Sequence, residues 1–390
     1  MSGVTAGLDQ PEGRDVVAAF ADRLRRTRAR MSELGVKVLL VSHGGDLPWL
    51  TGYAAMPLER ITMLVVRGDE VPVLAVPALE EARVHRFEEE LFEVRPWLDS
   101  EDPLALISTL AASPGADRVG VSDQAWASTL LGLQERMPRA TFVAASVVTG
   151  PLRAVKDDLE VEMLARAGSA ADRVARAVQA SEIPFVGRTE AAVAEDIGRR
   201  LIAEGHHRVD FTIVGSGPNS ASPHHESGAR VIQEGETVVC DFGGQVLVPG
   251  TSMGYSSDIT RTVCTGRPGA EVEESYAVLR EAQDAGVQAA IAGARAQDVD
   301  RAARAVIEAA GLGGAFIHRT GHGIGIETHE EPYIVEGSTT ALVPGHAFSV
   351  EPGIYHPGRF GMRLEDIVVV TATGPRRLND APRELVSIES

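Results

Sequence analysis

Four carboxylates pose the chemical question first. Asp241 follows Val238, Val239 and Cys240 in ETVVCDFGG, and Asp258 stands in MGYSSDITRTV. Glu351 interrupts HAFSVEPGIY, and Glu365 precedes Ile367, Val368, Val369 and Val370 in GMRLEDIVVVT. Most of the 55 Asp and Glu residues belong on a solvated surface, and any one of these four taken singly reads at least as well that way. As a set they do not, because a carboxylate among strand-forming apolar residues needs a partner. If the four converge, each close pair repels by roughly 4 kcal/mol at ~4 Å and an effective dielectric near 20. Either most of them hold protons or cations balance them, and two divalent cations match four negative charges. His322, between Gly321 and Gly323, is the natural fifth ligand, although taken alone a histidine between glycines is more often a loop residue. Oxygen-rich ligation with one imidazole suits Mn2+ first, then Co2+ or Zn2+, and is unlike a thiolate-type zinc site.

Competing readings of the same residues fail on context. Gly321, Gly323 and Gly325 spell G-x-G-x-G, but a dinucleotide site needs a strand before and a helix after, and Pro332 follows too soon. GSGPNS (215–220) has no helical pattern behind it. Cys240 neighbours Asp241 and in a strand faces the other way. Cys264 lies roughly 20 Å along an extended strand from Asp258. Neither thiol should reach the cluster.

The elements that must position these groups repeat. From about residue 150 the pattern predicts a helix near 158–181 followed by a second at 187–205, then a helix near 271–293 followed by another at 294–311. Shifting the later helix by 106 positions lays Val193 on Val299, Ile197 on Ala303, Leu201 on Ile307 and Gly205 on Gly311. Apolar residues fall at i, i+4 and i+8, and a glycine closes each helix. Each helix pair leads into two strand-like runs, and each run holds one of the four acids. The first 150 residues instead alternate helix and strand: a helix through about residue 34, strands at 36–42, 61–66 and 71–76, a helix near 78–90, then RVGVS and ATFVAAS. This predicts an α/β domain over 1–150 and a second domain over 151–390, with the boundary near TGPLRAVKDDLE.

Composition narrows the class. With 44% hydrophobic and 24% charged residues the chain reads as globular, and its net charge of −18 argues against nucleic acid or anionic lipid as partners. The arginine-rich ADRLRRTRARM (21–31) reads as a solvated helix face. MSGVTAGLDQPEGRD has no secretory pattern, no apolar run is long enough to span a membrane, and two cysteines are too few for a disulfide framework. A cytoplasmic protein is expected.

Together, SDITRT, GHGIG, VEPGIY and RLED resemble the ligand motifs of the pita-bread metallopeptidases. That family includes methionine aminopeptidase, aminopeptidase P and the Xaa-Pro dipeptidases (prolidases), with creatinase as a metal-free relative. The likeness extends to SGPNSASPHH with His224, THEEPYI with His329, the junction LRAVKDDLE, and WLTGY (49–53) in a creatinase-like N-terminal domain. It implies an α/β (α+β) chain: a creatinase-like domain followed by a pseudo-symmetric pita-bread catalytic domain. It further implies that Asp241 binds one metal, that Asp258 and Glu365 bridge both, and that His322 and Glu351 complete the other. A bridging water would attack the scissile carbonyl, with Glu351 as proton shuttle and His224 and His329 holding substrate and oxyanion. Arg363 would either meet a substrate carboxylate or support the metal carboxylates. The implied activity is hydrolysis of Xaa-Pro bonds in dipeptides, with a homodimer expected. An aminopeptidase P acting on longer peptides, a creatinase-like C–N hydrolase and a non-catalytic binding module are the alternatives. Two features depart from the family pattern: the Asp241–Asp258 interval is long, and Tyr333 stands where some prolidases carry an arginine.

Overall fold

The computed structural model describes residues 13–84, 91–112 and 117–389. The chain forms two units: one runs to Arg153 and includes Leu247–Met253, and the other comprises Ala154–Val246 and Gly254–Ser390.

In the first unit, valine- and leucine-rich runs form β1 (Val36–Val41), β2 (Met63–Arg67), β3 (Val73–Pro77), β4 (Glu93–Trp97), β5 (Arg118–Val121) and β6 (Thr141–Ala144). They lie side by side in the order β4-β3-β2-β1-β5-β6, with β2 antiparallel to both neighbours and the other pairs parallel. Val38, Leu40, Met63, Val65 and Val119 pack on one face against Ile107 and Leu133 of the helices Pro103–Leu110 and Ala127–Arg136. Of the helix expected near 78–90, a 3-10 turn at Glu81–Arg83 is present, and residues 85–90 lie outside the described ones. The stretch searched for a secretory signal also lies mostly outside them.

The arginine-rich helix corrects its sequence reading at one position. Arg25 is exposed, but Arg23 is fully buried in the helix Gly13–Leu34. Its guanidinium lies over the rings of Phe20 and Trp49, 5.3 and 5.7 Å from their centroids, and Nη1 donates to the Trp49 carbonyl at 3.3 Å. Aromatic faces and a carbonyl replace the water that the charge gives up.

The second unit carries the repeat. Its strands are β7 (Arg208–Ser216), β8 (Thr237–Leu247), β9 (Gly254–Ser256), β10 (Ile259–Thr265), β11 (Gly321–Gly323), β12 (Glu330–Ile334), β13 (Ala347–Val350), β14 (Gly353–His356), β15 (Phe360–Arg363), β16 (Asp366–Thr371), β17 (Gly374–Arg377) and β18 (Val386–Ile388). One sheet runs β18-β10-β8-β7 with β9 on β8, a second runs β12-β11-β13-β16-β17, and β14 and β15 form a separate hairpin. The four predicted helices appear at Asp158–Gln179, Glu190–Ala203, Ala270–Ala289 and Ala296–Ala309. The second and fourth are related at both ends by the predicted shift of 106. Val193, Ile197 and Leu201, like Val299, Ala303 and Ile307, are completely buried. Gly205 and Gly311 follow with φ of 111° and 77°, left-handed conformations that a side chain resists.

Among the described residues, no helix is long and apolar enough to cross a membrane.

Candidate metal centre

Strand alternation aims the acids. Val238, Cys240 and Phe242 on β8 enter the apolar core beneath the sheet, so Asp241 points away from it. Asp241 pairs in register with Thr260 of β10, and Asp258 stands in the turn just before that strand. In the other half, Phe348 and Val350 of β13 face the core, which turns Ser349 and Glu351 the opposite way. Glu365 precedes β16, and His322 is the middle residue of β11. The structure therefore brings all five together: ligand atoms of Asp241, Asp258 and Glu365 lie within 4.8 Å of one another, as do those of His322, Glu351 and Glu365. A third such triplet joins Asp258, His322 and His329, so Glu365 and Asp258 each belong to two. His322 Nε2 is 3.2 Å from Glu351 and 3.6 Å from Asp258.

Burial in this company splits the acids. Loss of water, then the Asp241 charge, pushes Asp258 well above the carboxylate range; loss of water, then the Asp258 charge, does the same to Glu365. Asp241 is also raised by burial, with the Arg363 charge opposing. Burial acts on Glu351 too, but the hydrogen bond and charge of His322 outweigh it and bring the group to about 2. The protein alone thus relieves repulsion by protonation, one of the two solutions open from sequence. Two observations fit the other. Asp241 Oδ1 and Glu365 Oε1 are buried with no hydrogen-bond partner, and the donor set is carboxylate oxygen plus one imidazole. Divalent cations would satisfy both.

Residues that sequence reasoning passed over hold the acids in place. Thr260 Oγ1 donates to Glu365 at 2.7 Å and accepts from Arg363 Nε at 3.1 Å. Ser349 Oγ donates to Glu351 at 3.0 Å and accepts from the His322 backbone N–H at 3.0 Å. Tyr355 OH lies 3.0 Å from Arg363 Nη1 and 2.9 Å from His318 Nε2. On the far side of β10, Arg261 forms a buried ion pair with Asp366 at 2.8 Å. The motif's acids were visible as charges among apolar residues; its hydroxyls carry no such contrast. Arg363 is itself buried, paired with Asp241 and bonded to Thr260, Tyr355 and the Pro223 carbonyl.

The glycines around His322 need a different explanation from nucleotide binding. A Cβ on Gly321 would overlap the Ser349 carbonyl, one on Gly323 the Glu331 carbonyl, and one on Gly325 the Glu330 carboxylate. They let β11 lie tightly between its neighbours, with His322 at a register shift between Gly321 and Gly323 in the pairing with β12.

The cluster floors a cavity of about 740 Å³. His224, His329, His318, Arg319, Phe211 and Ile213 complete much of its wall. The His329 ring is 4.0 Å from that of His322, and burial, with the nearby His322 charge, lowers its pKa to about 4. Segment 247–253, which lengthens the Asp241–Asp258 interval, belongs to the first unit and is not among the cavity's lining residues.

Comparison with known proteins agrees with this geometry. Residues 162–372 match the model of metallopeptidase family M24, and residues 23–155 match the creatinase/prolidase N-terminal domain. The chain is 43% identical over 372 residues to a Mycobacterium tuberculosis protein named "Probable dipeptidase PepE", covering 95% of this chain and 96% of that one. It is 36% identical over 360 residues to an Xaa-Pro dipeptidase of Lactobacillus helveticus, covering 89% and 94%. A crystal structure of prolidase from Thermococcus sibiricus superposes with a TM-score of 0.87 at 34% identity, covering 95% of this chain and 99% of that one. The chain belongs to metallopeptidase family M24, a peptidase in which a creatinase-type N-terminal domain precedes a pita-bread catalytic domain.

Proposed function

We propose that this protein is a two-metal Xaa-Pro dipeptidase. The observation that carries the reading is the buried cluster of four carboxylates and His322, with two unpartnered oxygens, on the floor of a cavity. The Xaa-Pro substrate class is supported by the names of the Lactobacillus and Thermococcus relatives. Asp241 would hold one cation, His322 and Glu351 the other, and Asp258 and Glu365 both; Asp258 and Glu365 each sit in two of the three triplets, which suits a bridging role. Two bound divalent cations, Mn2+ first, then Co2+ or Zn2+, supply Lewis-acid polarisation and a nucleophilic water at neutral pH.

The chain's own groups do the rest. Glu351, ionised and held by Ser349 and His322, takes a proton from the attacking water and passes it to the leaving proline nitrogen. His329, neutral above pH about 4, donates to the developing oxyanion, and His224 helps hold the substrate. Arg363, tied to Asp241, orients that ligand and is not available to substrate. Two free, buried cysteines support a reducing, cytoplasmic setting. The domain boundary near residue 150 and a homodimer complete the proposal, the latter checked by light scattering.

Tyr333 in place of an arginine favours a second reading, an aminopeptidase P acting on longer peptides. Assay of Ala-Pro against Ala-Pro-Xaa peptides, with Mn2+ or Co2+ added, decides between them. Failure to cleave any Xaa-Pro bond would remove both.

A further inference from the structure

Among the described residues, one cation lining the cavity has no negative partner. Imidazole and guanidinium groups on its wall are His224, His318, Arg319, His322, His329 and Arg363. Arg363 is engaged by Asp241, and His322 lies against Glu351 and Asp258. His318 is tied through one nitrogen to Tyr355 and through the other to the Arg319 carbonyl. A guanidinium is charged at every working pH, whereas an imidazole can be neutral. Among the described residues Arg319 has no carboxylate within ion-pairing distance, so its charge faces the cavity unanswered.

What holds Arg319 is an aromatic face. Its guanidinium carbon lies 4.5 Å from the centroid of the Tyr333 ring. A cation–π contact fixes the plane of the fork and leaves its N–H donors free for a ligand. Arg319 precedes His322 by three residues, so the free charge and the metal-site imidazole leave the same short segment of chain.

Substrate chemistry supplies the missing partner. An Xaa-Pro dipeptide differs from a longer peptide by a free carboxylate on the proline. Taken from water into the cavity, that carboxylate needs a cation to receive it. We propose that Arg319, braced by Tyr333, binds the prolyl carboxylate and so selects dipeptides. This rests on the Xaa-Pro reading above. It also reverses the meaning of Tyr333: the residue is a platform for a cation contributed from elsewhere in the wall, and dipeptide preference survives without an arginine at that position.

The test compares Ala-Pro with Ala-Pro-amide, which lacks the charge, on Mn2+-loaded enzyme. Wild type should favour the acid by about tenfold or more in kcat/KM. Arg319→Met should bring the ratio toward one, mainly through a higher KM for Ala-Pro. Arg319→Lys, which keeps a charge without the fork, should recover part of it, and Tyr333→Leu should reduce it part-way. A wild type indifferent to the amide overturns the proposal even if the Arg319→Met variant fails to fold. So does a preference that persists in Arg319→Met, or an equal loss on both substrates. Wild type inactive on every Xaa-Pro substrate would instead sink the function itself, and this inference with it.

Discussion

Thr260 donates its hydroxyl to Glu365 at 2.7 Å, and its carbonyl accepts the Glu365 N–H at 3.2 Å. A strand of one half thereby grips a ligand candidate of the other at two points. Thr260→Val keeps the shape and deletes the hydroxyl. Divalent-metal affinity, measured by titration calorimetry, should fall about tenfold to a hundredfold with little change in fold. Unaltered affinity would show that the hydroxyl does not orient Glu365.

Asp258 tests the cluster directly. Asp258→Ala should reduce bound metal from two ions to at most one per chain, read by elemental analysis. Peptidase activity should drop by roughly a thousandfold or more, because the Lewis-acid contribution is several kcal/mol. Chelation of the wild type should lower its Tm, with recovery on adding Mn2+. Full metal content and activity in the variant would take Asp258 out of the site.

Gly321 is a packing position. The atom a Cβ would meet is the Ser349 backbone carbonyl, which cannot swing aside as a side chain would. Gly321→Ala should therefore destabilise by about 1–3 kcal/mol in urea unfolding and weaken metal binding through the displaced His322. A neutral effect on stability would show that the approach of the Ser349 carbonyl does not require glycine at this position.

His346 should show in acid. Burial, with the Lys156 charge adding to it, lowers its pKa to about 4, and its neutral Nδ1 accepts the Val343 N–H at 3.2 Å. A histidine whose folded pKa lies below its unfolded value near 6.5 adds stability above that pH and loses it as pH falls through the folded pKa. The loss between pH 6.5 and 4 should approach roughly 3 kcal/mol, absent in His346→Gln. An NMR titration that places this imidazole near 6.5 would contradict it.

The sequence made the acids legible because charge among valines is conspicuous, and it made the second and fourth helices legible because their apolar spacing survives a 106-residue shift. Arg23 was misread since a helical arginine looks solvated unless the distant ring of Trp49 is known to lie beneath it. The packing role of the glycines around His322 was not legible because the carbonyls of Ser349 and Glu331 become neighbours only after folding. Thr260, Ser349 and Tyr355 went unnoticed for a related reason: a hydroxyl earns its significance from what stands across from it.

The first unit is discontinuous, and this limits how the molecule can be cut. Val248 and Met253 are fully buried, Ser252 N–H donates to the Gly52 carbonyl at 3.0 Å, and Ser252 Oγ accepts from the Ala54 N–H at 2.8 Å. A truncated gene beginning at Ala154 would still encode this greasy hairpin tip but not the residues that shelter it. Such an expression product invites aggregation through that stub, and trimming the tip to a short polar turn is the first repair to make.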